Sequence, residues 1–272
     1  MRRTKDKSPK KALPWYGWLV IGLGIVVVVT LVRASPENKP FGSSDPGELK
    51  AAIVDQLYSL KPDEAFISEI TGELEGYGFE IDLYQGDDVT VDLYRQLPSY
   101  GYELIIFRAH SGLLASKREV TYRTCVLTNE LYSQRKHVAE QLSHQLAMAR
   151  ITEHHPWVFA IGAKLVAHSM KGKFDDTAMI MMGCSCLYIE DLARSFIKKG
   201  ASTYIGWDAS VGLDYVDNAT MNLIGNLCTK GMTLHQAVAK TIAQNGADPN
   251  YGAVLKYYPS QNGNQTLKQL IK

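Results

Sequence analysis

Short runs of uninterrupted apolar residues constrain this chain most: "AAIV" (51–54), "LIIF" (104–107), "VFAI" (158–161) and "AMIMM" (178–182) each stop after four or five positions. Such runs are shorter than an ordinary helix and show no alternation with polar residues, which is the pattern of strands buried on both faces. Amphipathic stretches lie between them. "PDEAFISEITGELEGYG" (62–78) spaces Phe66, Ile70 and Leu74 at helical intervals before a glycine, and "LYIEDLARSFIKKG" (187–200) is closed by Gly200. "FEIDLYQ" (79–85) and "ASTYIGW" (201–207) read as further strands, and "VTVDLYRQLPSYG" (89–101) as a short strand or turn with a brief helix. Residues 129–150 read as a long polar helix, and residues 218–246 as two helices around a glycine turn. Apolar runs alternating with helical patterns imply one α/β domain, residues 49–272, with a parallel sheet covered on both faces.

The first forty residues are of another kind. Trp15 to Val32 is an uncharged stretch of eighteen residues, which at about 1.5 Å per residue just crosses a bilayer core. Tryptophans and a tyrosine at its entry suit the interface, and a cleaved signal peptide has a shorter apolar core of about 7–15 residues. The segment is expected to be an uncleaved membrane helix (15–32) after a basic tail (1–14). Arg2, Arg3, Lys5, Lys7, Lys10 and Lys11 precede it, so the amino terminus is expected in the cytoplasm and the rest outside, in a single-pass cell-membrane protein. Residues 33–48, with three prolines, read as a linker. The basic tail carries six cations and one acid, so the remainder falls from the chain's net +1 to −4. That charge offers nucleic acid no footprint.

In open parallel sheets, functional groups gather at the carboxyl ends of strands. Here "LIIF" leads into Arg108, Ala109, His110, Ser111 and Gly112, and "AMIMM" into Gly183, Cys184, Ser185 and Cys186. A histidine beside a thiol can take its proton and later protonate a leaving group, and adjacent glycines leave N–H groups free to stabilise an oxyanion. The other cysteines are Cys125 and Cys228, and the spacing of the four forces no disulfide pairing. "EHHPW" (153–157) reads as a loop rather than a metal site, because adjacent histidines have no further ligand at matching spacing. His168 reads as a surface residue, and Asp175 and Asp176 as solvated turn residues.

The order of apolar strand, histidine, glycine, intervening segment, apolar strand, small residue and cysteine resembles the caspase-like cysteine peptidase superfamily (clan CD), which includes caspases, legumains, gingipains and CHAT-domain proteases. "LARSFIKKGASTYIGW" (192–207) is similar to the segment following the nucleophile in gingipain-like and CHAT-like members. "GMTLHQAVAKTI" (231–242) resembles their terminal helix, so the likeness spans nearly all of residues 49–272. It implies a caspase-like three-layer α/β/α sandwich, with His110 as general base and Cys184 as nucleophile. Cys186 falls two residues past that position. Ser111, Gly112 and Gly183 would frame the oxyanion, Trp207 and Asp208 would line a substrate pocket, and neither a metal nor an organic cofactor is needed. Two departures stand out: Ser111 separates His110 from Gly112, and the caspase signature Q-A-C-x-G is absent. The implied function is an anchored endopeptidase acting on peptide or protein substrates; the alternative is a non-catalytic anchored module that binds a peptide or surface partner. Oligomeric state, disulfide pairing and cleavage preference stay open.

Overall fold

The computed structural model describes residues 49–115 and 122–271. The basic tail, the expected membrane span and the linker lie outside the described residues. Among those described, no helix is long and apolar enough to cross a membrane.

The chain forms an α/β fold around a six-stranded sheet. Strand β1 (Leu49–Asp55) is followed by helix α1 (Glu64–Tyr77), β2 (Phe79–Gln85), α2 (Val91–Gln96) and β3 (Leu104–Arg108). Next come β4 (Ser111–Ala115), β5 (Tyr122–Leu131), α3 (Val138–Leu142), β6 (Leu146–Ala149), β7 (Val158–Gly162) and α4 (Ala163–His168). The last part comprises β8 (Thr177–Met181), α5 (Asp191–Lys198), β9 (Ala201–Trp207), α6 (Leu213–Leu227), α7 (Leu234–Asn245), β10 (Leu255–Tyr258) and α8 (Leu267–Leu270). The main sheet has the order β10-β9-β8-β3-β1-β2 and is parallel except for β10, which runs antiparallel to β9. A second sheet, β4-β5-β7-β6, is antiparallel.

Burial on both faces explains the all-apolar strands. Ala51, Ile53, Leu104, Ile106, Ala178 and Ile180 face a core filled by α1, α6 and α7. Their neighbours Ala52, Val54, Ile105, Phe107, Met179 and Met181 face an opposite core filled by α2, α4, α5 and the inner side of the second sheet. Each strand therefore serves two cores with alternate residues, and a polar residue on either side would be buried. Helix α1 begins and ends where its sequence directs. Asp63 caps the Phe66 N–H at 3.0 Å, Phe66, Ile70 and Leu74 form the buried stripe, and Gly78 closes the helix in the left-handed region at φ 112°.

Two stretches depart from the sequence reading. Residues 129–150 are not a long helix: β5 runs to Leu131, which pairs with Val158, and only Val138–Leu142 is helical. Leu146–Ala149 then forms a strand on β7. Good helix formers fill this stretch, but it lacks an apolar stripe, and strand pairing overrides propensity. Residues 91–96 form helix α2, capped by the Thr90 hydroxyl on the Leu93 N–H at 3.1 Å. The run "VFAI" belongs to the antiparallel sheet rather than the parallel one, and β10 lies in a stretch assigned no element from sequence.

Where β3 leaves the core, Arg108 is wholly buried. Its Nε and Nη2 donate to the two carboxylate oxygens of Asp217 on α6 at 3.0 and 3.1 Å, and its Nη1 donates to Asp55 on β1 at 2.9 Å and to the Lys61 carbonyl at 3.1 Å. The Phe66 ring covers the guanidinium at 5.4 Å. Burial pushes the Asp55 carboxyl above its ordinary value, with Arg108 pulling in the opposite direction. Breaking such a pair strands a charge without water. Asp217→Ala should cost about 3–5 kcal/mol in guanidinium unfolding, whereas Asp214→Ala, at an exposed position on the same helix, should stay within about 0.5 kcal/mol.

Candidate active site

Strands β3 and β8 are direct parallel neighbours, and Phe107 pairs with Met181 at the end of their ladder. His110 and Cys184 each follow that pair by three residues, so the register carries both to the carboxyl end of the sheet. The Met182 N–H donates to the Phe107 carbonyl at 2.9 Å, extending the pairing one step further. Beyond it the two loops touch. A side chain at Gly183 would bring its Cβ to 2.2 Å from Ser111 Oγ and 2.5 Å from the Ala109 carbonyl. Only glycine lets the loops approach this closely.

Ser111 makes the bond between those loops. Its hydroxyl donates to the Cys184 carbonyl at 2.6 Å and lies 2.9 Å from Cys186 Sγ. The chain then turns sharply at Ser185, which adopts the left-handed region at φ 55° and donates its N–H to the Ala209 carbonyl at 2.9 Å. A non-glycine residue there carries strain of roughly 1–2 kcal/mol. The turn redirects the chain just after Cys184.

All four cysteines are free thiols, and burial sorts them. Cys125, Cys186 and Cys228 are buried, and burial pushes each thiol up to about 12, so none forms thiolate near neutral pH. Cys184 is the half-buried one. Its Sγ accepts the Val211 N–H at 3.4 Å and faces the Val211 carbonyl at 3.7 Å. His110 presents a buried Nε2 without a hydrogen-bond partner, so the ring and the thiol are not bonded to each other in this state. Burial lowers the imidazole to about 4, with a smaller push from His155, and the ring is neutral at pH 7.

The oxyanion candidates divide. Ser111 and Gly112 pair with Val126 and Cys125 in the β4–β5 ladder, and the Gly112 N–H faces the Cys125 sulfur. Gly112 is therefore engaged as a strand residue, while Gly183 lies in the loop before Cys184. Trp207 is a core residue, 2 % exposed and edge-on to Tyr215, so it does not form an open pocket wall. Asp208, directly after β9, reaches across to the start of β10, accepting the Val254 N–H and the Lys256 ammonium, each at 2.8 Å. Asp175 and Asp176 precede β8 and so lie at the opposite end of that strand from Cys184. His154 and His155 sit in the loop between β6 and β7, and no group of three metal-ligating side chains occurs among the described residues. Gln56, which accepts the His110 N–H, and Asn129, which holds the Gln56 amide, escaped the sequence reading. The visible signal was a polar pair, Asp55-Gln56, directly following a buried strand.

Compared with known proteins, the sequence matches no family model and no curated protein. Among solved structures, the fold is similar to the Arg-specific cysteine proteinase gingipain R, at 12% identity and a TM-score of 0.44. The likeness covers 82% of this chain and 45% of that one.

The lowered His110 sets a pH dependence with a definite sign. Its folded value of about 4 lies below the ordinary 6.5, so the unfolded chain binds the extra proton between these limits. Its contribution is fully present above pH 6.5 and is lost as pH falls towards 4, a change of up to about 3 kcal/mol. Unfolding free energies measured at pH 7 and pH 4.5 should differ less for His110→Asn than for wild type; equal differences would refute the assignment.

Proposed function

We propose that the chain is a membrane-anchored, caspase-like cysteine endopeptidase that hydrolyses peptide bonds outside the cytoplasm. The observation that carries the reading is the shared register of β3 and β8, which sends His110 and the half-buried thiol of Cys184 to one end of the sheet on touching loops. Neutral His110 accepts the Cys184 proton as Sγ turns from Val211 towards the imidazole. The thiolate attacks the peptide carbonyl carbon, and the C–N bond breaks as imidazolium protonates the departing amine. Water then gives a proton to His110, attacks the thioester and restores the thiol. The Gly183 and Cys184 backbone stabilises the intermediate oxyanion, and neither metal nor organic cofactor enters these steps. The anchor rests on the apolar segment 15–32 and the six cations before it.

The rival reading, a non-catalytic anchored module that binds a peptide or surface partner, is favoured by the resting contacts. Cys184 is bonded to Val211, and His110 Nε2 has no partner. An acyloxymethyl ketone probe, mapped by mass spectrometry on the reduced full-length protein, separates the two. Labelling should concentrate at Cys184, with Cys125, Cys186 and Cys228 spared. Cys184→Ala and His110→Ala should each abolish cleavage of a diverse peptide library, with their effects strongly non-additive, while Cys186→Ala retains most of the rate. Absence of cleavage and of selective labelling would establish the binding module instead. Protease added outside right-side-out cells should remove residues 34–272; full protection would overturn the anchored orientation.

A further inference from the structure

We infer that Gln56 and Asn129 are positioning residues for His110: an amide pair, Gln56 buried and Asn129 half-buried, that fixes the backbone of the loop carrying the imidazole. The inference rests on the reading of His110 as the site's base. Gln56 follows β1 and is 3 % exposed. Its Oε1 accepts the His110 N–H at 2.9 Å, and the His110 carbonyl accepts the Leu127 N–H at 2.9 Å, so both backbone groups of the histidine are held. The other end of the Gln56 amide, Nε2, donates to Asn129 Oδ1 at 2.7 Å. Asn129 Nδ2 in turn donates to the carbonyls of Gln56 and Gly86 at 3.0 and 2.8 Å.

These bonds fix the orientation of both amides. A backbone N–H can only donate, so the group facing His110 must be Oε1; Nε2 must then face an acceptor, and the two carbonyls require Asn129 Nδ2 on their side. The pair joins the ends of β1, β2 and β5 to the loop that follows β3. A hydrophobic pair of similar volume would fill the same space without a partner for the His110 N–H, and a buried amide costs free energy unless it is bonded. The imidazole therefore stands in a frame set by side chains remote from the thiol. His155 is the other titratable group acting on the ring.

The test uses the full-length protein with Gln56→Met and Asn129→Leu, which keep volume and remove the amide bonds. In histidine-labelled protein, with the His110 signal assigned by its loss in His110→Asn, NMR titration should show the His110 midpoint rising from about 4 towards 6.5 in both variants as the released ring gains water. Peptide cleavage should lose about 10²-fold in kcat with KM changed less than about twofold. Lower thermal stability with an unmoved His110 midpoint would overturn the inference, because packing alone then explains the pair. If wild-type protein cleaves no peptide, the endopeptidase reading fails separately, and the imidazole midpoint still decides whether the amides position His110.

Discussion

A guanidinium shut away from water has to be neutralised where it stands, and the placement of Arg108 in this fold follows from that need. Two carboxylates and a carbonyl surround it, drawn from β1, from the loop after β1 and from α6. A well-packed apolar group could be equally stable in such a position. The ion cluster adds direction: it forms only when α6 presents Asp217 to the end of β3 and β1 lies beside β3 in one register. Leu57 donates its N–H to the Arg108 carbonyl at 3.3 Å, so the main chain of the same residue also holds the loop that carries Gln56. The geometry at His110 is thereby tied to the packing of α6, on the opposite side of the sheet from the second core.

The sequence made the main sheet legible and much of the second one illegible, for one physical reason. A strand buried on both faces shows an unmistakable apolar run, and "AAIV", "LIIF" and "AMIMM" were readable at once. In the antiparallel sheet β5 is bulged and carries the buried hydroxyls Thr124 and Thr128, with Asn129 and Glu130 turned to polar partners and Leu131 exposed, so it shows no comparable run. Polar helix formers across residues 129–150 suggest one long helix, whereas strand pairing at both ends leaves only Val138–Leu142 helical. At the site, the strand-end positions of His110 and Cys184 were visible because they depend on local sequence. Strand-end position alone says nothing of side-chain direction: Trp207 turns inward onto Tyr215, and Asp208 pairs with Val254 and Lys256 at the start of β10.

Two thiols with one serine between them have opposite characters here, and burial is the cause. Cys186 sits against Ser111 and the Cys184 carbonyl with no access to water, so its proton is held well above neutral pH. Cys184 stands at the strand's end, where the left-handed Ser185 turns the chain away and leaves its sulfur half-buried. Ser111 therefore has a structural use that a glycine at the same place lacks. Its hydroxyl bonds one loop to the other through the Cys184 carbonyl, while the glycine required for close approach appears instead at Gly183.

The resting contacts of Cys184 determine what has to move before it can react. A sulfur that accepts the Val211 N–H and faces the Val211 carbonyl has its proton directed at that carbonyl, an acceptor too weakly basic to remove it. The neutral imidazole of His110 is a far better acceptor, but its Nε2 is buried and unbonded. Under the proposed reading of His110 and Cys184 as base and nucleophile, proton transfer requires the Cys184 side chain to rotate away from Val211 in the loop after β9. That loop is held by Asp248, which accepts the Gly212 N–H at 3.3 Å and the Tyr251 N–H at 2.6 Å. The Val211 loop is thus anchored through Asp248, whereas the His110 main chain is held through Gln56. Under the proposed endopeptidase reading, a substrate that displaces Val211 from the sulfur would supply the missing motion by its own binding.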